Sequence, residues 1–359
     1  MKKIPKNSRV LFFKDKPLFG MDIGHDELRV VQLDLERKVP KVLCYGSIAF
    51  DPLAIADGLI VKPELVAKAA LRLFKKELVG EINTNRVAIS LPASHAYTRS
   101  IQLPKMSTKD VREAVLTEIE QYVPQGLDSL YIDYAKIRET ADQIEIFVVG
   151  MSKQIVDSYI DLTRILGLEA VLFETTIGAS SNLLALDRHT DIPTLLIDFG
   201  STSTDITLYS SGLIVTGTVG FGGDDITQTL KKALDITDRE ALVIKGSYGL
   251  SASPLRKRIM HTVEPSLELL LKEIRRTLRY YEQRYNHEAP IGQVVTMGGG
   301  ANMPGINDYL TDKLRLPTRG LDPTVFVDFG KLHPFLTADK MSYVTAVGLS
   351  IIKPREIFQ

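Results

Sequence analysis

Apolar positions along this chain switch repeatedly between the alternation of strands and the three-and-four spacing of helices, which predicts a mixed α/β protein. Residues 18–36 read as a hairpin: an apolar strand, Asp22, Gly24 two residues later, a polar turn and a second strand. Residues 195–212 repeat the design with Asp198 and Gly200, and residues 294–306 end an apolar strand in Gly298, Gly299 and Gly300. Between these blocks the pattern predicts a third strand over 44–50, a helix over 63–78, and strands over 86–92 and 97–103 ended by Pro92 and Pro104. A helix capped by Ser107 or Thr108 runs to about residue 122 and is closed by Pro124, strands follow over 131–138 and 144–150, and a helix over 153–166 stops at Gly167. Residues 90–165 thus form a compact α/β unit placed inside the first half. Gly222 and Gly223 lead into an Asp-capped helix over 226–234. A long helix over 266–284 carries Leu267, Leu270, Leu271, Ile274, Leu278 and Tyr281 on one face, and a shorter one follows Gly305 over 306–314.

Composition narrows the class. A chain of 359 residues is long enough for two or more domains, and its 44% hydrophobic and 25% charged residues are those of a globular protein. Forty-four basic and 44 acidic residues cancel, so no whole-molecule field recruits nucleic acid or anionic lipid. The single cysteine, Cys44, forms no intrachain disulfide, which suits a reducing cytoplasm. No stretch approaches the ~18 apolar residues of a membrane span, so direct insertion is not expected. Residues 1–17 read as a flexible lead-in whose Phe12, Phe13 and neighbouring basic residues form at most a short contact segment.

The three glycine-bearing strand ends are the candidate chemistry. Each Asp-x-Gly block ends a strand by presenting a carboxylate, and the glycine allows a turn whose N–H groups face an anion. Ser201, Thr202, Ser203 and Thr204 add hydroxyl donors, and Asp22 with Asp198 suits Mg²⁺ held through water. A single such block is an ordinary hairpin; three at strand ends suggest a clamp that grips phosphates from two sides while Gly298, Gly299 and Gly300 admit a nucleoside.

The order of these blocks resembles the actin-like (ribonuclease H-like) ATPase superfamily: a first phosphate hairpin, a connecting helix over 176–186, a second phosphate hairpin, an adenosine turn and a second connecting helix over 342–349. The inserted unit, with SLPASHAYTRSIQLPKMSTKDVREAVLTEIEQYVP and YIDY, together with IDFGSTSTDITL, FGGDDIT and TMGGGANMPGINDYL, resembles the type IV pilus assembly PilM family, relatives of the cell-division protein FtsA. The resemblance spans about residues 19–352. It implies a two-lobed fold with subdomain 1A over 18–89 and 166–190 plus the helix 340–352, subdomain 1C over 90–165, subdomain 2A over 191–235 and 290–339, and subdomain 2B over 236–289. It also implies ATP or ADP in the cleft, a cytoplasmic scaffold of the pilus platform, and binding of the N-terminal peptide of a PilN-like inner-membrane protein that recruits it to the membrane. Pilus secretion ATPases and self-assembly are further expected partners.

Residue by residue, the resemblance implies a nucleotide site of Asp22, Gly24, Arg29, Asp198, Gly200, Ser201, Thr202, Ser203, Thr204, Gly222, Gly223, Lys245, Gly298, Gly299 and Gly300. Glu174 stands where an acid positions the hydrolytic water. Two departures are visible: His25, Asp26 and Glu27 follow Gly24 in place of small hydroxyl residues, and Leu242 replaces the carboxylate that precedes Lys245 in the family helix. Slow or absent hydrolysis is therefore expected. Two other readings stand beside the scaffold: an FtsA-like division ATPase, which normally continues into a linker and amphipathic helix where this chain has the tail 353–359, and a sugar or acetate kinase using Asp205 or Asp224.

Overall fold

The computed structural model describes residues 16–123, 126–189, 191–285 and 289–353. Most of the expected lead-in, including Phe12 and Phe13, lies outside the described residues, as do Pro124 and residues 354–359 of the tail. The first lobe is built on β1 (Phe19–Ile23), β2 (Glu27–Asp34) and β3 (Lys41–Ala49), followed by a small hairpin of β4 (Ile55–Ala56) and β5 (Leu59–Ile60). Helix α1 (Pro63–Arg72) starts on a proline whose missing N–H is harmless there, and continues as a wider turn over Leu73–Glu77. Then come β6 (Val79–Gly80) and β7 (Arg86–Leu91).

The inserted unit follows: β8 (Ala96–Pro104), α2 (Thr108–Glu120), β9 (Leu130–Glu139) and β10 (Gln143–Ser152). Ser107 caps α2 by accepting the Asp110 N–H. Helix α3 (Lys153–Leu166) ends on Gly167 at φ 68°, and β11 (Glu169–Thr175) leads into α4 (Thr176–Leu184). The second lobe holds β12 (Thr194–Phe199), β13 (Thr204–Tyr209), β14 (Leu213–Val219), α5 (Gly223–Leu234), α6 (Asp238–Ser247), α7 (Arg256–Arg284), β15 (Gln293–Met297), α8 (Ile306–Leu314), β16 (Thr318–Gly320) and α9 (Val344–Ser350).

Two similar sheets emerge. The first runs β11-β7-β1-β2-β3-β6 and the second β14-β13-β12-β15-β16, each an antiparallel hairpin with a parallel strand on its other side. Their registers coincide in design: Asp22 stands opposite Arg29, and Asp198 opposite Asp205. Between the sheets, α4 and α9 share a core of Val31, Ile177, Leu183, Leu196, Val295 and Ala346 that ties the lobes together. The inserted strands form a separate antiparallel sheet, β8-β10-β9, covered by α2 through Val111, Val115 and Ile119.

That inserted sheet is also bonded to the far lobe. Glu145 on β10 is buried, and its Oε1 accepts hydrogen bonds from Ser100 Oγ and from Tyr285 Oη, just beyond α7, each at 2.6 Å. Its Oε2 accepts from Arg138 at 2.9 and 3.2 Å.

Three expectations about elements change. Strands β11 and β14 are absent from the pattern reading: EAVLFET lacks alternation, and LIVTGTV is interrupted by polar residues and a glycine. The long helix starts at Arg256 and passes through Pro265, because Ile259, Val263 and Leu267 bury one continuous stripe on both sides of it. Strand β3 begins three residues earlier than the alternation from Cys44 implies.

Candidate functional site

Between the lobes lies a cleft of about 450 Å³ into which all three glycine-bearing strand ends open. The sequence places Asp22, Gly24, Arg29, Asp198, Gly200, Ser201, Thr202, Ser203, Gly223, Lys245, Gly298, Gly299 and Gly300 at the site, and all of them line this cleft. Thr204 and Gly222 do not; Thr204 Oγ1 donates to the Phe221 carbonyl at 2.7 Å, and Gly222, which in place of an Asp caps the start of α5, donates its N–H to Asp225 Oδ2 at 2.8 Å. Both hold the second turn in shape instead of facing the cleft.

The turn geometry follows from backbone hydrogen bonds. In the first hairpin Gly24 N–H donates to Glu27 O, and in the second Gly200 N–H donates to Ser203 O, both at 2.9 Å. The start of α5 is stapled to the second turn, since Gly223 N–H and Asp224 N–H donate to the Gly200 and Ser201 carbonyls at 2.9 and 2.8 Å. Lys245 on α6 completes the wall, its Nζ donating to Gly223 O and to Thr227 Oγ1 at 2.9 Å each. Gly298, at φ 80°, is fixed by close approach: a Cβ there would stand 2.3 Å from Asp198 Oδ1.

Electrostatically, the cleft is short of positive charge. Burial raises Asp22 above the ordinary carboxylate range even though Ser90 Oγ donates to it at 2.6 Å. Burial and the neighbouring Asp205 and Asp22 carboxylates push Asp198 up to about 8, and burial pushes Asp205 up to about 6 although Thr218 bonds it. Asp224 is raised by burial and by Asp26 across the cleft, while burial lowers Lys245. Arg29 is ion-paired with Glu27, and its Nε is a buried donor with no partner among the described residues. Among the described residues no group of three or more His, Cys, Asp or Glu side chains is gathered tightly enough to hold a metal ion.

Glu174 is elsewhere. It pairs in register with Ser90, and Ser90 bonds Asp22, so the three lie in one row across the first sheet; β11, however, is the edge strand, about 10 Å from β1. There Glu174 lines a second cavity of about 700 Å³ walled by β9, α3, β11 and α4. Its Oε1 accepts the Thr175 N–H at 2.9 Å and packs so closely on Gly178 that a Cβ at that position would stand 2.1 Å away. Burial, with a contribution from Asp133, pushes its carboxyl up to about 7. Glu174 thus lines the second cavity and is not among the residues lining the cleft, which Thr176, two residues on, does line.

The second cavity is a groove between two sheet edges, β9 of the inserted sheet and β11 of the first lobe, floored by Val156 and Ile160 of α3 and closed at one end by the Ser211–Leu213 turn. Helix α3 serves both cavities, because Tyr159 on the same helix lines the cleft. Sequence reading missed Tyr159, Asn302 and Ser342 as cleft residues; none carries a local signal, since each is brought there by packing.

No helix among the described residues is long and apolar enough to cross a membrane. The chain is similar in structure to a PilM-PilN type IV pilus biogenesis complex, with a TM-score of 0.81 at 22% identity over 94% of this chain and 98% of the other. It is also similar to the ethanolamine utilization protein EutJ from Carboxydothermus hydrogenoformans (0.56, 16% identity, 93% and 88% covered) and to MreB 5 of Spiroplasma citri bound to AMPPNP (0.52, 13%, 93% and 95%). These likenesses show the actin-like ATPase fold expected from the motif order. None of the curated proteins compared with it matches this chain. The family described as type IV pilus assembly protein PilM matches residues 20–353, which is nearly the whole described chain, and the protein belongs to that family.

Proposed function

We propose that this protein is a nucleotide-binding, actin-like scaffold of the type IV pilus inner-membrane platform, with Mg²⁺ and ATP or ADP in the cleft and the N-terminal peptide of a PilN-like membrane protein in the groove. The observation that carries the reading is the pairing of two cavities: a cleft ringed by three glycine turns, and an apolar groove between two open sheet edges that shares α3 with it. In the cleft the Gly24 and Gly200 turns hold the phosphates, Arg29 and Lys245 balance their charge, and Asp22 and Asp198 take Mg²⁺ through water. The ion supplies charge neutralisation between phosphate and carboxylate. In the groove an extended peptide pairs its backbone with an open strand edge and places alternate side chains among Leu172, Val156 and Ile160, while Glu174 accepts a donor from it. Recruitment to the inner face of the membrane comes from the partner. Hydrolysis is slow, because the acid expected to orient water faces the groove and Asp26 and Glu27 crowd the first turn.

Calorimetry tests the cleft: Mg-ATP binds the wild-type chain, and Asp198→Ala weakens it without unfolding the protein. Equal affinity in that variant removes the second turn from the site. Fluorescence anisotropy with the N-terminal peptide of a PilN-like membrane protein tests the groove, where Leu172→Asp abolishes saturable binding. Peptide binding that is unchanged in Leu172→Asp places the peptide elsewhere.

A further inference from the structure

The groove is bounded on one side by β11, whose outer edge has no strand paired to it among the described residues. Along that strand two carboxylates bracket an apolar run: Glu169, then Ala170, Val171, Leu172 and Phe173, then Glu174. Glu174 has no cation paired with it among the described residues, and the Asp133 carboxylate of β9 adds to the negative charge beside it. An extended chain that complements this edge carries a cation, four apolar residues and a second cation. The sequence has such a run in Arg9, Val10, Leu11, Phe12, Phe13 and Lys14.

That run lies outside the described residues, but the point from which it departs is fixed. Arg86 Nη1 donates to the Lys16 carbonyl at 3.0 Å, and Thr84 Oγ1 donates to the Pro17 carbonyl at 2.9 Å. Arg86 also stands opposite Glu169 in register and pairs with it, Nε to Oε1 at 3.5 Å. One guanidinium thus joins the first described residue to the start of β11. Lys14 is two residues from Lys16, and an extended chain from Lys14 back to Arg9 covers about 17 Å at ~3.3 Å per residue, the same rise as Glu169 to Glu174. An antiparallel course sets Lys14 by Glu169, Arg9 by Glu174 and four apolar residues against four.

We propose that residues 9–14 pair with the outer edge of β11 in the same molecule and cover the groove, as a built-in competitor that a partner's peptide must displace. The inference rests on the reading of the groove as an extended-peptide site and adds its regulation. A segment tethered this close is present at about millimolar effective concentration, so an intrinsic dissociation constant of about 100 µM covers roughly nine grooves in ten and weakens an incoming peptide about tenfold.

Hydrogen exchange and fluorescence anisotropy on the full chain test it, with Phe12→Asp and Phe13→Asp combined to release the run. Amides of β11 are expected to exchange about tenfold faster in this variant, and a labelled synthetic peptide of residues 8–15 to bind it about tenfold tighter than it binds the wild type. Arg9→Glu, which sets a carboxylate against Glu174, is expected to act in the same direction. Equal exchange of β11 in wild type and variants overturns the proposal. Protection that disappears when the wild type is diluted places the run on a second copy and overturns it as well. If exchange and the synthetic peptide behave as expected while a PilN-like peptide binds all the chains alike, the partner reading of the groove falls and the pairing of residues 9–14 with β11 stands.

Discussion

Removing the Tyr285 hydroxyl should loosen the bond between the inserted sheet and the second lobe by a measurable amount. Glu145 is only 4% exposed and receives four hydrogen bonds: one each from Ser100 and Tyr285 at 2.6 Å, and two from Arg138 at 2.9 and 3.2 Å. Burial alone would raise its carboxyl, but these hydroxyls and the guanidinium outweigh burial and hold it below the ordinary value of 4.5. A hydrogen bond to a buried charge contributes about 1.5–3 kcal/mol, so Tyr285→Phe should destabilise by that much. Arg138 is 37% exposed, so its share is discounted for solvent screening, and Glu145→Gln should cost about 2–4 kcal/mol. In the double-mutant cycle Tyr285 and Glu145 should show a coupling of about 1.5 kcal/mol or more, since they share one bond. The chain has no tryptophan, so unfolding in urea is best followed by far-ultraviolet circular dichroism. A depressed carboxyl stabilises the fold above its unfolded-state pKa and loses that contribution as pH falls through the folded one, so the coupling present at pH 7 should shrink below about pH 4.5. Additive single effects, within about 0.5 kcal/mol at pH 7, would refute the idea that this carboxylate joins the two parts.

Asp198→Ala should lower Mg-ATP affinity at least tenfold in calorimetry while leaving the circular dichroism spectrum unchanged. Glu174→Gln should change peptide binding and leave the rate of phosphate release unaltered, whereas loss of a water-positioning acid would lower that rate. Because burial raises Glu174 to about 7, it favours the fold while protonated and loses that contribution as pH rises from about 4.5 through 7. The Gln variant should therefore gain about 1 kcal/mol or more on the wild type between pH 5 and pH 8 in thermal melts. Steady-state phosphate release should fall far below the ~10 s⁻¹ median of ordinary enzymes; turnover at that rate would favour an enzyme over a scaffold.

The glycine turns were legible because their requirement is local: an Asp two residues before a Gly at a strand end sets a turn whatever packs around it, and the two hairpins do share one register. Helix limits set by Ser107 and Gly167 were legible for the same reason. Glu174 was not, because the local pattern ended in the α4 cap and gave no hint that its strand lies at a sheet edge. Strands β11 and β14 escaped because neither alternates, and the upstream turns of α7 escaped because Pro265 resembles a helix start when the buried Ile259 and Val263 before it are not yet placed. Tyr159 reads as one more apolar residue on α3, and only the fold separates it from Val156 and Ile160 on the groove side.

The edge of β11 has a consequence for the free protein. Ala170, Val171, Leu172 and Phe173 form an apolar strand segment with no strand paired on its outer side among the described residues, the kind of rim on which unrelated chains stack and precipitate. Here that rim faces the groove, whose other walls include β9 and α3. A mutation that opens the groove and bares this rim should therefore show first as clumping at high concentration, before any change in folding.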